Sequence, residues 1–137
     1  MTIADTGAIV ALIDADDRHH AEMVELFDRD RGAWLLPWAI LPEVDYLVSA
    51  HVGEASAEAF RRDLAQGAFA IEWGQHRDLM RARALCDQYA SLRLGLVDAV
   101  VMAIAERMRA TAIATFDLRD FGPVTLEHRP RLIPRDR

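Results

Sequence analysis

The sequence predicts an α/β domain built on a central, mostly parallel sheet of four to five strands flanked by helices. Three observations predict it. Short apolar runs suited to buried strands alternate with longer segments of helical periodicity along the whole chain. Strands separated by helices need crossover connections, which favour parallel pairing. No linker, repeat or low-complexity stretch interrupts the alternation, and 137 residues at 52% hydrophobic make about one domain with a proper core.

The elements follow in order. Residues 2–5 read as a short strand and residues 7–13 as a helix packed straight after it. A polar turn at 14–18 leads into an amphipathic helix over 19–30, with Ala21, Val24 and Phe27 on one side and Met23 and Leu26 widening the stripe. Residues 33–36 form the second strand, ended by Pro37. A helix follows over 39–52, with Pro42 tolerable only in its first turn. Gly53 breaks it, residues 56–65 continue as another helix, Gly67 stops that one, and residues 68–73 are the third strand. The second half repeats the pattern. It has a long helix over 75–90, a connection at 91–95, a strongly apolar helix over 97–109 and a strand over 111–115. A loop or helical turn spans 116–123, and a last strand lies around 131–133.

Composition removes several classes of function. Net charge is −6, which argues against a broad basic nucleic-acid surface. All sixteen basic residues are arginine. With no lysine, Schiff-base chemistry and a P-loop are excluded, and neither GxxxxGK[ST] nor GxGxxG occurs. Cys86 is the single cysteine, so no intrachain disulfide can form and a reducing compartment fits. No apolar run approaches the roughly 18 residues of a membrane span, and the N-terminus shows no signal-peptide pattern. A soluble cytoplasmic domain is expected.

Four acids sit in or against apolar runs: Asp5 in MTIAD, Glu43 in AILPEV, Asp98 in GLVDAVVMAI and Asp117 in TAIATFD. A carboxylate in such surroundings costs several kcal/mol unless it is paired or bound to a metal. Topology gathers them. Asp5 ends the first strand, and Asp117 follows the strand at 111–115 by two residues. Glu43 and Asp98 open helices that leave the same carboxyl edge, where open α/β sheets bind ligands. Each acid also has a local explanation. Asp5 suits a helix cap, Glu43 and Asp98 suit the positive end of a helix dipole, and Asp117 suits a turn with Asp120. None of these accounts for the shared rim.

An oxygen-only carboxylate cluster suits a hard cation, Mg2+ or Mn2+, rather than zinc. His19 and His20 are expected at a solvent-exposed helix start. A cation on such a rim can polarise a phosphoryl oxygen and acidify a water, which points to metal-dependent phosphodiester hydrolysis.

The DTGAIVAL start, the isolated Glu43, and the segments LGLVDAVVMAIAER and TAIATFDLRDF together resemble the PIN domain, in particular the toxin ribonucleases of VapBC-type toxin–antitoxin pairs. The likeness covers nearly the whole chain and implies a single PIN-like three-layer domain over residues 1–137. It implies that Asp5, Glu43, Asp98 and Asp117 bind Mg2+ or Mn2+ and activate water for RNA hydrolysis. Thr6 and Thr115 match hydroxyl positions that orient those carboxylates, and Asp120 lies where members vary, as a peripheral contributor.

The resemblance further implies a homodimer, an RNA substrate such as tRNA or rRNA, and a VapB-type antitoxin that covers the active site. An antitoxin arginine would balance the acids. Trp38, Ile40, Leu41, Tyr46 and Leu47 are candidates for an apolar antitoxin groove, with ordinary core as the alternative. Arg18, Arg119, Arg129 and Arg131 are candidates for RNA phosphate contacts. Receiver domains and haloacid-dehalogenase-type phosphatases also gather aspartates at this edge, but both rely on a lysine that is absent here. A stand-alone PIN nuclease acting in RNA processing or on DNA stays open, and a non-catalytic binding module is the distant alternative.

Overall fold

The computed structural model describes residues 1–137. Five strands form one sheet: β1 (Thr2–Ala4), β2 (Trp34–Pro37), β3 (Ala70–Glu72), β4 (Ala112–Ala114) and β5 (Arg131–Ile133). Their spatial order is β3-β2-β1-β4-β5, and all four pairings are parallel. The expected mostly parallel sheet of four to five strands is thus five-stranded and parallel throughout. The central strands are apolar on both faces, as a sheet covered by helices on both sides requires. Ile3, Ala4, Ile113 and Ala114 are fully buried.

Seven helices flank the sheet: α1 (Thr6–Ile13), α2 (His20–Arg29), α3 (Leu41–His51), α4 (Glu54–Ala65), α5 (His76–Gln88), α6 (Leu96–Arg107) and α7 (Leu118–Phe121). Departures from the predicted bounds have local causes. The helix expected over 39–52 divides into a 3-10 turn, Trp38–Ile40, and α3, because Pro42 lacks the N–H that would continue a ladder and sits in the first turn instead. Gly53, at φ 140, ends that segment and lets α4 begin at Glu54, two residues before the predicted start. The strand expected over 68–73 shrinks to Ala70–Glu72, which pairs only with β2 at the sheet edge. The stretch 116–123 holds the single helical turn α7.

α6 is the central helix. Its residues from Ala99 to Glu106 are all buried, and it packs against β1 and α5. Two ion pairs lock α5 to α6: Arg107 meets Asp78 at 2.7 Å and Arg81 grips Glu106 at 2.6 Å. Arg107 also meets Glu72 of β3 at 2.6 Å. Asp78 and Glu106 are buried and hydrogen-bonded to backbone amides as well, so neither charge is left uncompensated. No helix is long and apolar enough to cross a membrane.

The strand order positions the site. The chain lays down β1, β2 and β3 in one direction, then returns to place β4 and β5 on the other side of β1. The order therefore reverses between β1 and β4. A crevice opens at the carboxyl ends of the two strands where an open sheet reverses direction.

Candidate active site

Asp5 leaves β1 at that crevice. Its backbone N–H donates to the Ala114 carbonyl at 2.9 Å, tying the end of β1 to the end of β4. Across the same junction the Thr115 hydroxyl donates to Asp5 Oδ2 at 2.8 Å and accepts the Asp117 N–H at 3.0 Å. One buried hydroxyl thus fixes the Asp5 carboxylate and the backbone of Asp117 together. Asp117 in turn caps α7, its Oδ1 accepting the Asp120 N–H at 3.1 Å. Asp98 enters from the first turn of α6 and Glu43 from the first turn of α3. Asp5, Glu43, Asp98 and Asp117 all line one open cleft of about 590 Å³, together with Thr6 and Phe116.

The electrostatics are those of crowded acids without a counter-ion, since none of these residues forms an ion pair with an arginine or histidine. The Asp5 carboxyl is raised from 3.8 to about 6. Burial is the main cause, opposed by the Thr115 and Thr6 hydrogen bonds and reinforced by the charges of Asp117 and Glu43. Asp98 is pushed up to about 8, first by burial and then by Asp5, a shared hydrogen bond with Asp120, and the charges of Asp117 and Asp120. Two acids whose ionised forms are disfavoured at one crevice are a reservoir of binding energy for a cation.

A divalent cation fits the residues present. Oxygen donors from Asp98, Asp117 and Asp120 lie within 4.8 Å of one another. Thr6 adds an independent sign. Thr6 is among the cleft-lining residues, and its buried Oγ1 is the one such side-chain polar atom in the chain without a hydrogen-bond partner.

Several expectations change in detail. Asp120, expected at the periphery, belongs to the tight trio with Asp98 and Asp117, while Asp5 and Glu43 stand outside that trio on the same cleft. The helical turn of α7 does this, because it folds residue 120 back over its own cap. Thr6, expected to orient a carboxylate through its hydroxyl, reaches Asp5 with its backbone amide instead. Of the apolar stripe offered as groove or core, Ile40 and Leu41 are core, with the 3-10 turn before them, while Trp38 and Tyr46 are exposed. His19 and His20 are half-buried rather than solvent-exposed. His19 stacks on Phe116 at 4.1 Å, and a ring nitrogen of His20 meets the Ala11 carbonyl at 2.9 Å. The Phe116 neighbour of Asp117 was the available signal for the His19 contact, but sequence spacing alone did not reveal it.

An acidic crevice at the switch point of a fully parallel sheet, ringed by helix N-termini, defines an α/β domain with its ligand site at the carboxyl edge. Comparison with known proteins narrows the class. A family model described as the PIN domain matches residues 2–123. Ribonuclease VapC26 of Mycobacterium tuberculosis is 33% identical over 120 residues, covering 88% of this chain and 89% of that protein. Among solved structures, M. tuberculosis VapC20, described as a sarcin–ricin loop cleaving toxin, superposes with a TM-score of 0.82 at 20% identity, over 95% of this chain and 100% of that one. VapBC2 of Rickettsia felis, bound to a promoter DNA fragment, superposes with a TM-score of 0.69 at 15% identity over 96% of each chain. The chain belongs to the PIN domain family, and its likeness within that family is to VapC proteins.

Proposed function

We propose that the protein is a Mg2+-dependent endoribonuclease of VapC type, the toxin of a toxin–antitoxin pair, and that the cleft of Asp5, Glu43, Asp98 and Asp117 is its hydrolytic centre. The observation that supports this most is the crevice itself. Its carboxylates lack any cationic partner, and burial and mutual repulsion raise Asp5 and Asp98. A bound Mg2+ or Mn2+ supplies charge neutralisation, polarisation of a phosphoryl oxygen and a more acidic water. The chain's own groups arrange the rest. Asp5, Glu43, Asp98 and Asp117 would hold the cation and the water it acidifies. Asp120, with an oxygen within 4.8 Å of those of Asp98 and Asp117, would add a further carboxylate beside them. Thr115 keeps the Asp5 carboxylate and the Asp117 backbone in register. The water oxygen would bond to phosphorus as the bond to the leaving ribose oxygen breaks, the water giving its proton to solvent and the ribose oxygen taking one from solvent.

The name of VapC26 as a ribonuclease and of VapC20 as a toxin supports the activity and substrate class. The pairing of VapB with VapC in the Rickettsia felis complex supports an antitoxin partner. A homodimer in the cytoplasm completes the proposal. Expression in a bacterial host tests it: the unsubstituted chain arrests growth, and Asp5→Asn or Asp98→Asn relieves the arrest. Arrest that persists in both variants would overturn the assignment of the cleft. A small neighbouring reading frame encoding a DNA-binding protein, co-expressed, is expected to restore growth.

A further inference from the structure

The turn between α1 and α2 reaches the acidic cleft through one aromatic contact. His19, directly before α2, stacks its ring on Phe116, with centroids 4.1 Å apart and planes inclined by 17°. Phe116 lines the cleft next to Asp117. The turn needs no such contact to hold its own shape. Asp14 Oδ1 accepts the Asp16 N–H at 3.0 Å, Asp17 Oδ1 accepts the His19 N–H at 2.8 Å, and a ring nitrogen of His20 meets the Ala11 carbonyl at 2.9 Å. His20 thus ties the turn back to α1, which leaves the His19 ring for Phe116. Arg18 Nε donates to His19 Nε2 at 3.1 Å. An arginine Nε only donates, so this nitrogen accepts and the ring proton sits on Nδ1.

The segment that His19 meets carries charge that works against its own position. Oxygens of Asp117 and Asp120 lie within 4.8 Å of each other and of Asp98. Like charges that close repel, and the repulsion pushes the turn of α7 away from α6. The segment is anchored at its ends: the Thr115 N–H donates to the Ile133 carbonyl at 3.0 Å, and Phe121 is buried. Between those ends its backbone bonds are local, from the Leu118 N–H to the Phe116 carbonyl at 3.1 Å and from the Phe121 N–H to the Asp117 carbonyl at 3.1 Å. Four residues of helix are too few to be stable by themselves. The half-buried Phe116 ring is where another element holds the stretch between its anchors.

We propose that His19 is a positioning residue for the acidic cleft: stacked on Phe116, it braces residues 115–120 so that the carboxylates of Asp117 and Asp120 stay beside Asp98. It rests on the reading of the cleft as a cation-dependent hydrolytic site, and it adds to that site a residue that touches neither cation nor substrate. The brace links placement to binding. A cation binds best where its donors already stand together, because a loop that must first be drawn in subtracts its own cost from the affinity. The contact also sets the size of the effect. An aromatic pair can shift the balance between the assembled and the loosened loop by about two- to tenfold, and no more than that is asked of it.

The test is amide hydrogen exchange of the full chain in EDTA, read at Asp117 and Asp120, whose N–H groups are held by Thr115 Oγ1 and by Asp117 Oδ1. His19→Ala is expected to speed exchange at both by about two- to tenfold. His19→Gln, which can still accept from Arg18 but cannot stack, is expected to match it. His19→Phe, which can stack but cannot accept, is expected to exchange like the unsubstituted chain. Phe116→Leu is expected to equal His19→Ala, and joining the two substitutions to add little. Parental exchange in both His19→Ala and His19→Gln overturns the brace whatever happens to Tm, because packing of the turn alone would lower stability without freeing these two amides. Exchange in His19→Phe as fast as in His19→Ala overturns it too. Mg2+ binding by titration calorimetry is read separately. A fall in affinity in His19→Ala that His19→Phe restores supports the brace, and unchanged affinity in His19→Ala overturns its bearing on the site. An unsubstituted chain that binds no Mg2+ sinks the cation reading of the cleft, while the exchange pattern still decides the brace.

Discussion

Replacing Asp5 with asparagine is expected to stabilise the metal-free protein at alkaline pH, although it removes a residue assigned to the active site. The Asp5 carboxyl is raised from 3.8 to about 6, so the folded protein holds its proton more tightly than the unfolded chain does. Between those values the folded state binds more protons, and stability therefore falls as pH rises. Below about pH 4 the penalty is nearly absent, and above pH 7 it is fully developed. At about 1.36 kcal/mol for each tenfold change in proton affinity, the full penalty is about 3 kcal/mol. Asparagine cannot ionise, yet its carbonyl oxygen can still accept from the Thr115 hydroxyl, so the substitution removes charge and keeps the junction. For a chain of this length, about 3 kcal/mol corresponds to roughly 10 °C in Tm. Thermal melts in EDTA at pH 8 and pH 4 measure it. Asp5→Asn is expected to melt about 10 °C above the unsubstituted protein at pH 8 and nearly level with it at pH 4. Saturating Mg2+ narrows or reverses the gap by stabilising the unsubstituted protein alone. A variant no more stable than its parent at pH 8, or equally stabilised at both pH values, would refute the account of a site strained by its own charge.

Mg2+ affinity is expected to rise between pH 6 and pH 8, because Asp98, pushed up to about 8, must lose its proton to bind; titration calorimetry showing a flat profile contradicts this. Thr115→Val removes the hydroxyl shared by Asp5 and Asp117, and is expected to cost about 1–3 kcal/mol in urea unfolding and to weaken Mg2+ binding. Arg107→Ala strands the buried Asp78 without its cation and is expected to cost about 3–5 kcal/mol, with no effect in that assay counting against the lock between α5 and α6. Glu43→Gln lies at an exposed position and is expected to leave stability within about 0.5 kcal/mol while reducing Mg2+ affinity; a large loss of stability would make Glu43 a helix-start residue instead.

The alternation of apolar runs and helical segments was enough to order the elements, because strand and helix periods differ and each run here is short and well punctuated. It was also enough to bring Asp5, Asp98 and Asp117 to one edge, since residues at strand ends inherit their position from topology. Other features depend on contacts between segments far apart in the chain. Glu72, Asp78 and Arg107 look like ordinary surface charges in sequence, and only the meeting of β3, α5 and α6 makes them one largely shielded cluster. Asp120 gains its place through a single helical turn, too short to show a periodicity. Ile40 and Leu41 take the core alternative that the sequence left open beside a groove, since a 3-10 turn before Pro42 sets which side faces inward.

Cleavage of RNA by the purified protein, followed with and without Mg2+ and compared with Asp98→Asn, tests the central claim most directly. The acidic cleft predicts cleavage that needs the cation, stops on chelation and is lost in Asp98→Asn while that variant stays folded. Cleavage that continues in EDTA, or that survives Asp98→Asn undiminished, would contradict it.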